Sequence, residues 1–290
     1  IQDNSPIKLT KAMFDFINVI GRGGFGRVWR VKLKKTQKYY AIKEMPKLKI
    51  IEHHNEKSIL NERELLSKLH NPFIVNMMGA FQDYYNLYLI MDLFRGGDLR
   101  YQLFKNKKFS EEQGRFFCAC VIAGLEYIHS KNILHRDIKP ENLVLDSNGY
   151  VAITDFGVAK NYTKENHNDT SGTPGYMAPE VLCSQNHSYP VDFYAIGVIA
   201  YEFMTGHRPH VGRTRKEIKA EILANQVEVN RYNLYENNWS IEAGDFINRL
   251  LQRKVVKRLG FNGINEIKNH FWFQKIKWND LYRKKMQCPF

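Results

Sequence analysis

The sequence predicts an α+β protein whose first third is strand-rich and whose remainder is mostly helical. Three observations carry this. Residues 14–20, 28–33, 39–43 and 86–91 are short runs rich in apolar, aromatic and β-branched residues, which read as strands. Beyond residue 98 the apolar residues recur with helical spacing over much longer stretches. Between those stretches, Asn148-Gly149 separates Leu143-Val144-Leu145 from Tyr150-Val151-Ala152-Ile153. Asn-Gly is the favoured dipeptide of a two-residue hairpin turn, because both positions tolerate positive φ.

The first strand runs directly into Gly21-Arg22-Gly23-Gly24-Phe25-Gly26-Arg27-Val28. Glycines at 21, 23 and 26 let backbone N–H groups approach phosphates closely. A dinucleotide-binding unit uses the same spacing, but it needs a helix next. Here residues 28–33 read as another strand, which argues against a dinucleotide oxidoreductase and for a glycine flap over a nucleotide. Lys43 sits in the apolar run 39–43, where a charge is costly without a partner. The helical segment 55–69 offers Glu62 and Glu64, with Leu65, Leu66 and Leu69 on its packing side. The strand at 86–91 ends at Asp92-Leu93-Phe94-Arg95-Gly96-Gly97.

In the remainder, Ser110-Glu111-Glu112-Gln113 is a capping-box start, and Phe116, Cys120, Ala123 and Tyr127 mark one face of the helix that follows. Residues 190–204 are apolar nearly all round, which predicts a buried helix ended by Gly206. Further helical segments are expected at 216–224, 241–251 and 264–270. Folding the hairpin about Asn148-Gly149 would set Leu145 against Ala152 and Asn142 against Asp155, with Asp137 five residues before Asn142. An amide and a carboxylate at one strand mouth suit a hard, oxygen-seeking cation such as Mg²⁺.

The run HRDIKPEN from His135 to Asn142, followed by Asp155-Phe156-Gly157, resembles the catalytic loop and metal-binding motif of eukaryotic protein kinases. Lys139-Pro140-Glu141 resembles the serine/threonine branch. Tyr39-Tyr40-Ala41-Ile42-Lys43 matches the V-A-I-K motif, and the stretch Gly172-Thr173-Pro174 to Ala178-Pro179-Glu180 matches G-T-P-x-Y-x-A-P-E. The C-terminal stretch resembles the AGC group, which includes the cyclic-nucleotide-dependent kinases. The resemblance implies a bilobal kinase fold. It has an extension over 1–13, a β-rich N-lobe with one main helix over 14–91, a hinge at 92–97, a larger helical C-lobe over 98–278, and the start of a tail at 279–290.

It also implies roles. ATP would donate its γ-phosphoryl group to protein Ser or Thr hydroxyls, with Mg²⁺ held by Asn142 and Asp155. Asp137 would accept the hydroxyl proton, with Lys139 near the transferring group, and Lys43, paired with Glu62, would hold the α/β-phosphates. The nucleotide would meet Ile20, Gly21, Gly23, Gly24, Gly26, Val28, Ala41 and Val144, with Met91 as gatekeeper, backbone groups of Asp92 and Phe94, and Asp98 at the ribose. Glu180 would pair with Arg258, and Asp192 would hold the catalytic-loop backbone. Glu141 and Glu202 match acidic positions that bind a substrate Arg two residues before the acceptor, with Asp98 reading a more distant one, so upstream basic residues are the expected preference. Two departures stand out. Asp169 occupies a position where the group usually carries a phosphorylatable Thr: it could pair with Arg136 directly, or Thr170 or Ser171 could take the phosphate, beside Thr173 in the same segment. The chain also stops at Phe290, before the tail whose aromatic motif docks on the N-lobe in that group.

Composition sets the remaining expectations. At 290 residues, 43% hydrophobic and 25% charged, the chain is an ordinary globular size and mix. It holds no 18-residue apolar run, begins with Ile, and shows no signal-peptide pattern, so it reads as an intracellular, cytoplasmic domain cut from a longer chain. Its net charge is +13, but the basic clusters at 32–38, 213–219 and 253–258 are scattered and lack interleaved aromatics, which favours solvated surface over nucleic-acid binding. The four cysteines show no metal-ligand spacing and read as free or buried thiols. Protein substrates, and a regulatory domain or subunit outside this chain, are the expected partners. A pseudokinase scaffold would lack Lys43, Asp137 or Asp155, and a small-molecule phosphotransferase would lack the long activation segment 155–180.

Overall fold

The computed structural model describes residues 9–24 and 26–290. Residues 1–8 of the expected extension and Phe25 of the glycine motif lie outside them. The chain divides into two compact units: residues up to Asn71 with Val75–Phe94, and Pro72–Ile74 with Arg95–Phe290.

The first unit contains β1 (Phe14–Gly23), β2 (Gly26–Leu33), β3 (Tyr39–Pro46), α1 (Lys47–Glu52), α2 (Glu56–Lys68), β4 (Met77–Gln82) and β5 (Asn86–Met91). The strands form one sheet in the order β1-β2-β3-β5-β4, every neighbouring pair antiparallel. Phe14, Val31, Ile42, Tyr88 and Ile90 form its apolar core, fed by alternate residues of the central strands. On α2 the buried residues are Ile59, Glu62, Leu65 and Leu66, spaced three and four apart, so one carboxylate shares the packing face with three aliphatics. The sequence reading missed β4, whose Met-Met-Gly-Ala start carries little strand preference, and α1, which is only six residues long.

The second unit contains α3 (Leu99–Asn106), α4 (Glu111–Ser130), β6 (Ile133–Leu134), β7 (Leu143–Leu145), β8 (Val151–Ile153), β9 (Lys160–Asn161), α5 (Pro179–Leu182), α6 (Pro190–Thr205), α7 (Arg215–Ala224), α8 (Arg231–Asn237), α9 (Ile241–Leu250), α10 (Ile264–Lys268) and α11 (Trp278–Tyr282). α4 begins with both halves of the capping box expected at Ser110 and Gln113. α6 is buried along almost its whole length, and Gly206 ends it with φ of 83°. The α+β architecture is therefore the one the sequence predicts. Among the described residues, no helix is long and apolar enough to cross a membrane.

The hairpin register differs from expectation by one residue. Leu145 pairs with Val151 and Leu143 with Ile153, instead of Leu145 with Ala152. Asp146 is the cause. Its Oδ1 accepts from the backbone N–H groups of Asn148 and Tyr150, at 2.8 and 3.0 Å, and its own N–H donates to the Tyr150 carbonyl. These bonds close a three-residue loop over 147–149 in which only Gly149 is left-handed, with φ of 80°. Thr154, not Asp155, consequently lies across from Asn142, donating its N–H to the Asn142 carbonyl at 2.9 Å.

Candidate active site

In the first unit, Lys43 on β3 donates to both oxygens of Glu62 on α2, at 2.7 and 3.0 Å. The Glu62 side chain is 2% exposed and that of Lys43 21%, so the lysine keeps some access to solvent while its partner is almost wholly buried. The glycines between β1 and β2 divide by environment. A Cβ at Gly26 would stand 1.9 Å from the Glu44 carbonyl oxygen, so packing inside the unit demands glycine there. At Gly23 and Gly24 a Cβ would meet nothing within 4 Å among the described residues, so their packing does not explain glycine there. The absence of side chains leaves that backbone open to an anionic ligand. Ala41 and Met91 are buried, Val28 and Phe94 half-buried, and Ile20 exposed. The Asp92 N–H donates to the Asn76 carbonyl, and its carboxylate accepts from Asn76 Nδ2 at 2.9 Å. The backbone group Asp92 can still offer a base is its carbonyl.

In the second unit, the catalytic-loop candidates follow β6. Asp192, in the first turn of α6, accepts from the N–H groups of His135 and Arg136 at 3.0 and 2.8 Å, and from His129 Nε2 at 2.8 Å. These bonds fix Arg136 in the left-handed region, with φ of 67°, where a non-glycine residue rarely sits. Burial opposes ionisation of Asp192, but the His129 bond, the neighbouring His135 and the Arg136 N–H outweigh it and hold its carboxyl below the usual range.

Asp137 comes next and gathers three partners. Its Oδ1 accepts from the Thr173 N–H at 2.9 Å and from Thr173 Oγ1 at 2.7 Å. Its Oδ2 lies 2.7 Å from Lys139 Nζ and 3.1 Å from Asn142 Nδ2. Lys139 also donates to Thr173 Oγ1 at 2.8 Å. Burial again works against the charge, yet the bonds from Lys139 and Thr173 prevail and the Asp137 pKa is lowered. Asn142 also gives Nδ2 to the Asp137 carbonyl at 2.9 Å, which commits the amide nitrogen and leaves the amide oxygen as its coordinating atom. Asp155 is exposed and left-handed at φ 63°, and its Oδ1 accepts from the Gly157 N–H. Asn142 and Asp155 thus offer oxygen donors alone, the set a magnesium ion takes.

Asp169 sits 3.6 Å from Arg136 Nη1 and 2.7 Å from Lys160 Nζ. Burial would raise its pKa, but the Lys160 bond and Arg136 lower it. Thr170 instead gives its carbonyl to Arg215. Glu180 and Arg258 form a bidentate pair at 2.6 and 2.9 Å, each 4% exposed or less. Asp98 caps α3, accepting from the Tyr101 N–H at 2.8 Å, and bridges to Val144. Glu141 and Glu202 do not stand open: Arg100, on the first turn of α3, donates Nε to Glu141 and Nη1 to Glu202, each at 2.8 Å. The sequence reading passed over Arg100, Lys160 and Tyr176 as site residues. Nothing in the spacing of Arg100 from residues 41 and 102 positions away marks it.

The protein kinase domain family matches residues 14–273 of the chain. Among similar proteins, serine/threonine-protein kinase AtPK2/AtPK19 of Arabidopsis thaliana is 36% identical over 280 residues, covering 96% of this chain and 58% of the relative. Serine/threonine-protein kinase Sgk1 of Danio rerio is 39% identical over 281 residues, covering 96% and 64%. The cAMP-dependent protein kinase catalytic subunit of Dictyostelium discoideum is 36% identical over 289 residues, covering 98% and 44%. The chain therefore spans roughly half to two thirds of the length of these curated relatives. With the family matched over nearly all of its described length, and with the motif residues assembled inside each unit as above, the chain belongs to the protein kinase family.

Proposed function

We propose that this chain transfers the γ-phosphoryl group of ATP to Ser and Thr hydroxyls of protein substrates. The observation that most supports this reading is the seat around Asp137, where a hydroxyl is already held at 2.7 Å from the carboxylate while Lys139 donates to the same oxygen at 2.8 Å. Thr173 there stands in for an acceptor alcohol. A general base needs this reach, about 2.6–3.2 Å between heavy atoms, and the lowered pKa keeps Asp137 ionised at neutral pH.

Phosphoryl transfer passes through a loose transition state, so positioning and charge neutralisation do most of the work. In this reading the first unit contributes the open backbone at Gly23 and Gly24 and the Lys43 ammonium, which Glu62 orients, to the phosphates. Ile20, Gly21, Val28, Ala41, Met91 and the backbone of Asp92 and Phe94 take the base. The second unit contributes Asp137 to orient the alcohol and accept its proton, and Lys139 to neutralise charge on the transferring group. The oxygens of Asn142 and Asp155 hold Mg²⁺, which when bound screens the phosphate charge. Asp192 positions Asp137 through the backbone of the two preceding residues. Asp169 acts as a built-in counter-charge for Arg136, in place of a phosphate on the segment.

The expected preference for upstream basic residues rests on Asp98, Glu141 and Glu202, and each of these carboxylates is already engaged within the chain. A radiolabelled-ATP assay on a Ser/Thr peptide pool, comparing wild type with Asp137→Asn, tests the assignment. The variant should lose about 10²–10⁴-fold in kcat with little change in KM for ATP; equal kcat values would overturn the reading.

A further inference from the structure

Four side chains of the second unit form one closed array. Glu202 on α6 is 3% exposed, and its Oε1 accepts Arg100 Nη1 at 2.8 Å. Its Oε2 accepts the Tyr176 hydroxyl at 2.6 Å and Arg100 Nη2 at 3.3 Å. Arg100 Nε reaches Glu141 at 2.8 Å, and Nη2 also donates to the Tyr176 oxygen. A second guanidinium, Arg208, lies over the Tyr176 ring, 5.8 Å from its centroid. Burial opposes the charge on Arg100, but the bonds to Glu202 and Glu141 prevail and raise its pKa. Burial and the adjoining Glu202 both raise that of Tyr176, so its hydroxyl stays protonated and remains a donor. Both oxygens of Glu202 are therefore satisfied from within the chain, and two arginines balance the two glutamates.

We propose that Arg100 occupies in cis the carboxylate pair that would otherwise take a substrate arginine, making it a specificity-determining residue that removes the demand for arginine two residues before the acceptor. The physical reason is competition. A fork–fork guanidinium–carboxylate pair is geometrically selective, and the resident guanidinium is held by the fold itself, 2.8 Å from both glutamates. Its effective concentration is on the order of millimolar or higher, while a substrate arginine arrives at its solution concentration. An incoming arginine must also displace Arg100 and leave a second cation beside it. Substrates carrying a neutral residue at that position lose nothing. This deepens the kinase reading above and depends on it for the identity of the site as a peptide subsite.

The test uses two peptides identical except for Arg or Ala two residues before the acceptor Ser, with wild type, Arg100→Ala and Arg100→Met, the last retaining most of the aliphatic stem should the first fail to fold. Two readouts are taken: kcat/KM for phosphorylation, and binding of the corresponding non-phosphorylatable peptides by fluorescence polarisation. Wild type should favour the Arg peptide by less than about threefold, and the variants by about tenfold or more, the worth of one gained charge-assisted pair. Wild-type discrimination of tenfold or more, or variants whose Arg-to-Ala ratio matches wild type, would overturn the proposal. Loss of transfer on every peptide, with the shift in binding ratio retained, would sink the kinase reading and leave the Arg100 assignment standing.

Discussion

Replacing Asp169 tests whether the activation segment is held by a charge the chain already carries. Its carboxylate lies 3.6 Å from Arg136 Nη1, and the Arg136 side chain is 7% exposed. At an effective dielectric of about 20, a unit pair at that distance attracts by about 4–5 kcal/mol before desolvation. Burial of Arg136 works against its charged form and offsets part of that attraction. The Lys160 contact is closer, at 2.7 Å, but that lysine is 50% exposed, and such pairs contribute well under about 1 kcal/mol. A net of about 1–2 kcal/mol coupled to the active arrangement corresponds to about 5–30-fold in activity. The assay is kcat/KM on protein treated with phosphatase and checked by mass spectrometry at Thr163, Thr170, Ser171 and Thr173. Dephosphorylated wild type should remain active, Asp169→Asn should lose about tenfold, and Lys160→Ala should lose less than about threefold. The reasoning fails if phosphatase alone abolishes activity while Asp169→Asn matches wild type.

Other perturbations have equally definite outcomes. Glu180→Ala strands the Arg258 guanidinium, itself 1% exposed, and should cost about 3–5 kcal/mol of stability in urea unfolding; a loss under about 1 kcal/mol would mean that its bonds to Pro190 and Gln252 suffice. Gly26→Ala forces a Cβ to within 1.9 Å of the Glu44 carbonyl oxygen and should lower the melting temperature, whereas Gly24→Ala, with open space around it, should leave it nearly unchanged. Asp192 has a folded-state pKa depressed below the ordinary 3.8, so its contribution is fully present above that value and is lost as pH falls through the folded pKa. The stability gap between wild type and Asp192→Asn, measured by urea unfolding from pH 7 downward, should therefore shrink in the acid range below about pH 4. A gap that stays constant across that range would refute the assignment of its charge to the folded state.

Much of this chain was readable without coordinates. Strand alternation around the glycines, the Ser110 capping box, the apolar run ending at Gly206 and the catalytic-loop string all depend on residues close together in sequence, whose spacing a helix or strand converts directly into a shared face. Lys43 announced a partner because an unpaired charge in a strand is costly, the helix offered both Glu62 and Glu64, and only the resemblance to protein kinases chose Glu62. The hairpin register was misread because a side chain, Asp146, and not the Asn-Gly dipeptide, set the turn. Such a choice rests on a hydrogen bond of about 1 kcal/mol that composition does not reveal.

What only the tertiary structure decided is which charges face which. Arg100 closes on acids 41 and 102 residues away, and Asp137 meets a threonine 36 residues on. The sequence supplies the charges and the elements that carry them. Pairing among many like-charged residues depends on how α3, α6 and the segment before α5 pack, because Coulomb attraction selects partners by distance in space and is indifferent to distance along the chain.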